Sequence, residues 1–200
     1  MTDYFSLLNE TRRPRLDPDR LRQTFLTLAA DWHPDRTHNA PAEEQAAANR
    51  RYAELNAAFH CLTEPKSRLL HLLELERGAK PADIQTIPPA LADLFAGIAG
   101  VCREADTFLL EREKVSSPLL KIQWFERAQD WIERLNGWQQ KLGDLHGQLD
   151  ARLEQLDAAW LNLERKVATL NGLEELYRLL GYFNRWQNQL QERVTRLACG

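Results

Sequence analysis

Phe25-Leu26-Thr27-Leu28-Ala29-Ala30-Asp31-Trp32-His33-Pro34-Asp35-Arg36 is the stretch whose reading decides the fold. Leu21, Phe25, Leu28 and Trp32 recur at spacings of four, three and four, which lays an apolar stripe along one face of a helix. His33 precedes a proline, a position that disfavours helical geometry, so this helix is expected to end there. Its start is written in Asp17-Pro18-Asp19: a capping carboxylate, a proline at the first helical position and a second acid near the positive helix end. Before it, Tyr4 to Asn9 reads as a short apolar helix, broken off by Arg12-Arg13-Pro14-Arg15.

On the other side of the stretch, Arg36 to Ala40 is polar, and Pro41 with Glu43 and Glu44 opens a second amphipathic helix whose stripe is Tyr52, Leu55, Phe59 and Leu62. Two striped helices therefore flank one loop and can pack antiparallel, which presents His33, Pro34 and Asp35 at the tip of a helical hairpin. A further helix begins near Pro65, turns Leu69, Leu72 and Leu73 inward and stops at Gly78, a residue suited to a left-handed C-terminal cap. Residues 79–89, with three prolines, read as a linker.

Long helices follow. The first runs to about Lys114 with Leu91, Leu94, Ile98, Val101, Ala105 and Phe108 inward, and Ser116-Ser117-Pro118 punctuates it. Trp124, Ala128, Trp131, Leu135, Trp138, Leu142, Leu145 and Leu149 then alternate fours and threes, and Leu153, Leu156, Trp160, Leu163, Val167 and Leu170 keep the rhythm of a heptad seam. An extra four-step at 145, 149 and 153, close to Gly143 and Gly147, is a stutter that fits either one long helix or two joined by a turn. Asn171-Gly172 is expected to end the run, and a last helix buries Leu173, Leu176, Leu180, Phe183, Leu190, Val194 and Leu197. The fold class is all-α, and the need of a bundle for an apolar seam accounts for the Trp and Leu residues without any cofactor.

Composition narrows the function. Helix formers dominate while Gly and Pro number nine each, so sheet is not expected. Through Lys80 there are 12 basic and 12 acidic residues, and after it 14 and 17, so neither half carries the positive excess of a nucleic-acid binder. Cys61, Cys102 and Cys199 form no CxxC pair, which suggests neither a disulfide framework nor a zinc site; a reducing cytoplasm is expected, with no metal and no cofactor. No 18-residue apolar run and no signal peptide is read, so no membrane partner is expected.

The order of parts resembles a J domain. Within that family the chain is similar to the HscB-type co-chaperones of iron-sulfur cluster assembly, through Asp3-Tyr4-Phe5-Ser6-Leu7-Leu8, His33-Pro34-Asp35-Arg36, Leu55-Asn56-Ala57-Ala58-Phe59, and Leu62-Thr63-Glu64-Pro65 leading into Ser67-Arg68-Leu69-Leu70-His71-Leu72-Leu73-Glu74-Leu75. The resemblance implies a J domain over residues 1–78, the linker 79–89, and a client-binding helical bundle over residues 90–200. It implies a non-enzymatic protein that switches on the ATPase of a DnaK/HscA-type chaperone, by favouring that chaperone's hydrolysis-competent state, and delivers an IscU-type iron-sulfur scaffold. The alternative is a J-domain protein that serves a different client through a C-terminal coiled-coil bundle.

The chaperone-binding candidates are His33, Pro34, Asp35, Arg22 and Arg36. Pro34 stiffens the loop, His33 supplies a donor and an acceptor, and Asp35 offers a carboxylate suited to bidentate capture by a partner arginine. J domains commonly carry several Lys or Arg residues before the loop, whereas Phe25 to Trp32 holds none and adds Asp31. The client-binding candidates are Leu94, Phe95 and Ile98; the acids that accompany such a patch in the HscB type are missing from Leu94 to Cys102. No catalytic residue is assigned: His33 and Asp35 stand two apart across a proline, with no nucleophile, phosphate loop or ligand set beside them.

Overall fold

A computed structural model describes residues 2–37, 41–82, 87–112 and 117–199, apart from the side chains of Pro34, Thr37 and Ala90. Regular structure among them is helical throughout: α1 (Tyr4–Leu7), α2 (Pro18–Ala30), α3 (Pro34–Thr37), α4 (Ala42–Thr63), α5 (Pro65–Arg77), α6 (Ala92–Glu111), α7 (Pro118–Ala158) and α8 (Lys166–Ala198), with 3-10 turns at Pro89–Leu91 and Leu163–Arg165. The caps explain several boundaries. The Asp17 carboxylate accepts from the amides of Asp19 and Arg20 at 3.0 and 3.1 Å at the start of α2, and Asp3 does the same for Phe5 and Ser6 in α1. Gly78, at φ 72°, closes α5 in the left-handed region where a side chain would be strained.

Two compact units make up the chain: Met1–Ala82 with Ala151–Arg178, and Asp83–Asp150 with Leu179–Gly200. In the first, Phe5, Leu8, Leu21, Leu55, Leu62, Leu69, Leu72 and Leu73 are buried. Arg68 and His71 are polar members of this core. Arg68, 6% exposed, donates from Nε to the carbonyl of Pro14 at 2.8 Å and from a guanidinium NH to that of Leu62 at 2.5 Å, so it ties the 10–16 segment to the end of α4. His71 accepts the Tyr4 amide N–H on Nε2 at 3.1 Å and stacks on the Tyr4 ring at 4.6 Å.

The sequence reading placed residues 151–178 with the C-terminal bundle, and the structure packs them with the N-terminal segment. The contacts are specific: Trp160 donates its indole N–H to the Arg12 carbonyl at 2.7 Å, the Arg15 amide donates to Asp157 at 3.0 Å, and Arg13 pairs with Asp157. Lys166 meets Glu76 at 3.0 Å and lies 3.2 Å over the Trp160 ring. Leu153, Leu156, Leu173 and Leu176 are buried here.

In the second unit, Ile98, Val101, Ala105 and Phe108 of α6 are buried, with Trp124, Ala128, Leu135, Leu142 and Leu149 of α7 and Phe183, Trp186, Leu190 and Leu197 of α8. Phe108 stacks on Trp124 at 5.4 Å, and Arg193 bridges α8 to α6 by donating to Asp106 at 2.6 Å and to the Cys102 carbonyl at 3.3 Å. At Gly97 the α6 backbone sits against Trp138, whose indole would lie 2.0 Å from a Cβ placed there.

Three boundaries differ from expectation. α7 is one helix of 41 residues, so the stutter passes through it without a turn. It ends at Ala158, and the chain reverses through Ala159–Asn162, where the Asn162 side chain caps the following 3-10 turn by accepting from the Glu164 amide at 3.0 Å. The seam therefore stops short of its last members: Leu163 and Val167 are 85% and 73% exposed. Asn171-Gly172 lies inside α8 because the missing side chain admits the helix opposite it, with Leu156 Cδ2 at 2.8 Å from a hypothetical Cβ. Finally, α2 ends at Ala30, and Trp32, expected in the buried stripe, is 40% exposed. Residues 83–86 of the expected linker, residues 38–40 of the polar loop, and Lys114 and Ser116 at the expected end of α6 lie outside the described residues.

Two outcomes follow. Gly97→Ala should lower stability by about 1–3 kcal/mol, because overpacking against the rigid indole outweighs the better helix propensity of alanine; denaturant unfolding of both forms measures it. His71 responds to pH. Burial pulls its pKa below the usual 6.5, against the opposing charges of Asp3 and Glu74 and with a smaller contribution from Arg12. The neutral ring that accepts from Tyr4 thus contributes stability above pH 6.5, and this is lost as the pH falls. Between about pH 7.5 and 5.5 the melting temperature of the wild type should drop more than that of His71→Gln.

Candidate functional site

The site is built by α2 and α4, which pack against each other. Phe25 and Phe59, one from each helix, stack at 4.4 Å with their planes 17° apart, while Leu21, Ala29, Leu55 and Leu62 are buried around them. Phe25 and Leu28 are themselves half-buried. Past Ala30 the Trp32 amide donates to the Ala29 carbonyl at 3.1 Å, a tight turn that ends the helix and swings Trp32 out of the stripe. α3 then starts with Pro34 at its first position, where the missing N–H is no loss.

His33 and Asp35 come together at this junction. The Asp35 amide donates to His33 Nδ1 at 3.3 Å, and an Asp35 carboxylate oxygen lies 3.5 Å from the same nitrogen. With Nδ1 as acceptor, the ring N–H is left on Nε2 as a donor for a partner. Tyr52 of α4 holds the imidazole edge-on at 5.5 Å. The His33 side chain is 45% exposed and the Asp35 carboxylate 89% exposed, so both can be reached. The ring of Pro34 lies outside the described side chains.

The two arginine candidates differ. Arg22 is exposed on α2, four residues before exposed Leu26 and eight before exposed Ala30, on one helix face. Arg36 folds back on the end of α2, with a guanidinium NH 3.0 Å from Asp31 and 3.4 Å from the Ala30 carbonyl, as a cation suits a helix C-terminus. Trp32, which the sequence reading placed in the buried stripe, and Leu26, 55% exposed and off that stripe, are exposed apolar residues of this region that it did not name as site residues.

The client candidates lie on α6 in the second unit. Leu94 is half-buried. Phe95 is 41% exposed, with its ring 6.2 Å from that of Trp186. Ile98 is corrected: at 1% exposure it is part of the core, because it falls on the inner stripe of α6 with Val101 and Ala105, and it offers no surface to a partner.

Among the described residues no group of three or more His, Cys, Asp or Glu could hold a metal ion. Burial, helped by Glu64 and Glu74, pushes the Cys61 thiol up to about 11, and burial also raises that of Cys102, so both stay protonated at neutral pH. Among the described residues no helix is long and apolar enough to cross a membrane.

A helical hairpin carrying His33 and Asp35 at its end, followed by long helices, is the architecture of a J domain with a C-terminal helical domain. The comparisons are in keeping with that architecture. The chain is 36% identical over 85 residues to the co-chaperone protein HscB homolog of Aeromonas hydrophila, which is 42% of this chain and 49% of that protein. To the homolog of Bordetella pertussis it is 39% identical over 72 residues, 36% of this chain and 42% of that protein. The chain thus spans about half the length of the curated relatives it matches. In fold it is similar to the chaperone HscB from Vibrio cholerae, with a TM-score of 0.53 over 94% of this chain and 99% of that one at 19% identity. It is likewise similar to human co-chaperone protein HscB, with a TM-score of 0.54 over 98% and 81% at 19% identity. No family model matches the chain.

Proposed function

We propose that this protein is a non-enzymatic J-domain co-chaperone of the cytoplasm that stimulates ATP hydrolysis by a DnaK/HscA-type chaperone. The observation that carries the reading is the exposed His33-Asp35 pair at the junction of α2 and α3, braced by Tyr52 and presented by the Phe25–Phe59 hairpin. In this reading His33 donates from Nε2, Asp35 accepts from a partner cation, Pro34 keeps the junction short, and Arg22 and Arg36 add positive charge beside them. The pair acts by binding one state of the chaperone better than the other, and it breaks no bond itself. The sequence likeness to HscB homologs supports the choice of chaperone class.

The client in this proposal is an IscU-type iron-sulfur scaffold, held by the second unit around Phe95 with Leu94 at its edge. Phe95 supports it because an exposed aromatic ring is the type of anchor that dominates interface energy. A different client is favoured by another feature, the exposed Leu119, Ile122 and Phe125 at the start of α7.

Asp35→Asn and His33→Gln should each abolish stimulation of the chaperone ATPase in a steady-state assay while the melting temperature stays within about 2 °C, as both side chains lie outside the core. Full stimulation by either variant would remove the proposal. Phe95→Ala should weaken scaffold binding by about 2 kcal/mol in calorimetric titration. Absence of binding heat with the wild type would leave the scaffold unsupported as client.

A further inference from the structure

In the second unit α7 outruns the helix that covers it. It lies antiparallel to α8, for His146 stacks on Phe183 at 4.8 Å and Gln139 donates to Gln191 at 2.9 Å. From Gln139, α7 reaches back 21 residues to Pro118, while α8 goes on only 7 from Gln191 to Ala198. The tip of α7 therefore projects past the end of α8 by roughly 14 residues, about 20 Å. The end of α6 accompanies it, since Glu111 pairs with Arg127 at 3.0 Å and Glu104 with Arg134 at 2.9 Å. Where α8 stops, Leu109, Arg112, Arg196 and Cys199 line a groove of about 470 Å³. Two helices alone cannot enclose their apolar faces. Leu110, Leu119, Leu120, Ile122 and Phe125 are 44–65% exposed, five of the eleven large apolar side chains left open among the described residues. They present on the order of 500 Å² of apolar surface, a patch of the size that marks an interaction site. Leu119, Ile122 and Phe125 follow at steps of three and form a stripe along α7 separate from that of buried Trp124 and Ala128.

We propose that this tip is a dimer interface, in which the α6–α7 hairpins of two copies of the chain pack about a two-fold axis as a four-helix bundle. Each hairpin supplies the helices that the other lacks past the end of α8. Charge permits it. A two-fold interface sets a patch against itself, so a tip of one sign would repel its copy. From Thr107 to Trp131 the chain carries four acidic and four basic residues, which makes the tip neutral although the whole chain stands at -3. The area fits as well. The apolar centre covers more than half of the about 800 Å² that each partner buries in a stable interface, and exposed Lys121, Gln123, Glu126 and Gln129 supply a polar rim of both signs. The dimer stands independently of the co-chaperone reading; together the two place a pair of His33-Asp35 junctions in one particle.

The test is sedimentation equilibrium of the full chain from about 1 to about 100 μM. The average mass should rise from one chain to two and level off there, with half conversion near about 10 μM, as suits a modest apolar interface. Ile122→Glu and Phe125→Glu, each present twice in the dimer, should raise the dissociation constant by at least about 100-fold. Leu163→Glu, at an apolar side chain 85% exposed outside the tip, should leave it within about twofold. Helical content and melting temperature at the lowest concentration should match the wild type in all three variants, because the exchanged side chains are exposed. A one-chain mass at every concentration overturns the dimer and leaves the tip to a different partner. A dimer that survives both tip substitutions overturns the assigned surface. Growth past two chains overturns the two-fold arrangement, since only a head-to-tail contact fails to close.

Discussion

Pro34 is the constraint on which the rest of the hairpin depends. It has no N–H to give to a preceding turn, and its ring disfavours helical geometry at His33, so α2 cannot run through into α3. The chain must change direction between Ala30 and Pro34, and it does so in a turn closed by the Trp32 amide on the Ala29 carbonyl. The exposed features of this junction are consequences of that turn: His33 leaves the helix axis, its Nδ1 comes within 3.3 Å of the Asp35 amide, and Trp32 leaves the buried stripe. The Phe25–Phe59 stack and Tyr52 supply a firm base, so the turn is held from below by α4.

What the sequence disclosed of this unit followed how locally each feature is determined. Asp17-Pro18-Asp19, Pro65 and Gly78 act within a turn of themselves, and α2 and α5 begin and α5 ends where those residues indicate. Periodicity was less informative, because it records which residues are apolar and not which ones are covered. Trp32 keeps the four-residue step from Leu28 yet falls two residues beyond the helix, and Leu163 and Val167 keep the heptad yet fall beyond Ala158. Asn171-Gly172 misled for a related reason. A glycine beside an asparagine reads as a stop, but here its missing Cβ admits Leu156 of the helix packed against it, a tertiary cause that leaves no local mark. At the candidate sites His33, Asp35, Arg22 and Arg36 were visible as types in a pattern, and the stripes marked Leu26, which lies off that of α2, as exposed and Ile98, which lies on that of α6, as buried.

The buried arginine was also invisible beforehand. Arg68 sits among leucines in α5, and burial depresses its pKa from the usual arginine value. It holds no carboxylate within salt-bridge reach among the described contacts, and its hydrogen bonds go to the carbonyls of Pro14, Leu62 and Thr63. A planar fork can reach carbonyls on separate segments at once, which a lysine ammonium on one flexible stem does less well. The residues 10–16 that Arg68 secures are those that also bond to Asp157 and Trp160, so one cation in the core organises the segment that residues 151–178 pack upon.

In the co-chaperone reading proposed above, Arg36 serves both structure and recognition. Its pair with Asp31 is exposed on both sides, at 64% and 73%. Exposed pairs contribute only about 0–1 kcal/mol, so exchanging Asp31 for a carboxylate on a partner costs little. Free of a partner, Arg36 instead satisfies the end of α2 and offsets the negative helix end. The same exchange would release Asp31 toward solvent and leave its charge unopposed beside Trp32. A partner that took Arg36 would therefore need to be apolar or positive at that edge.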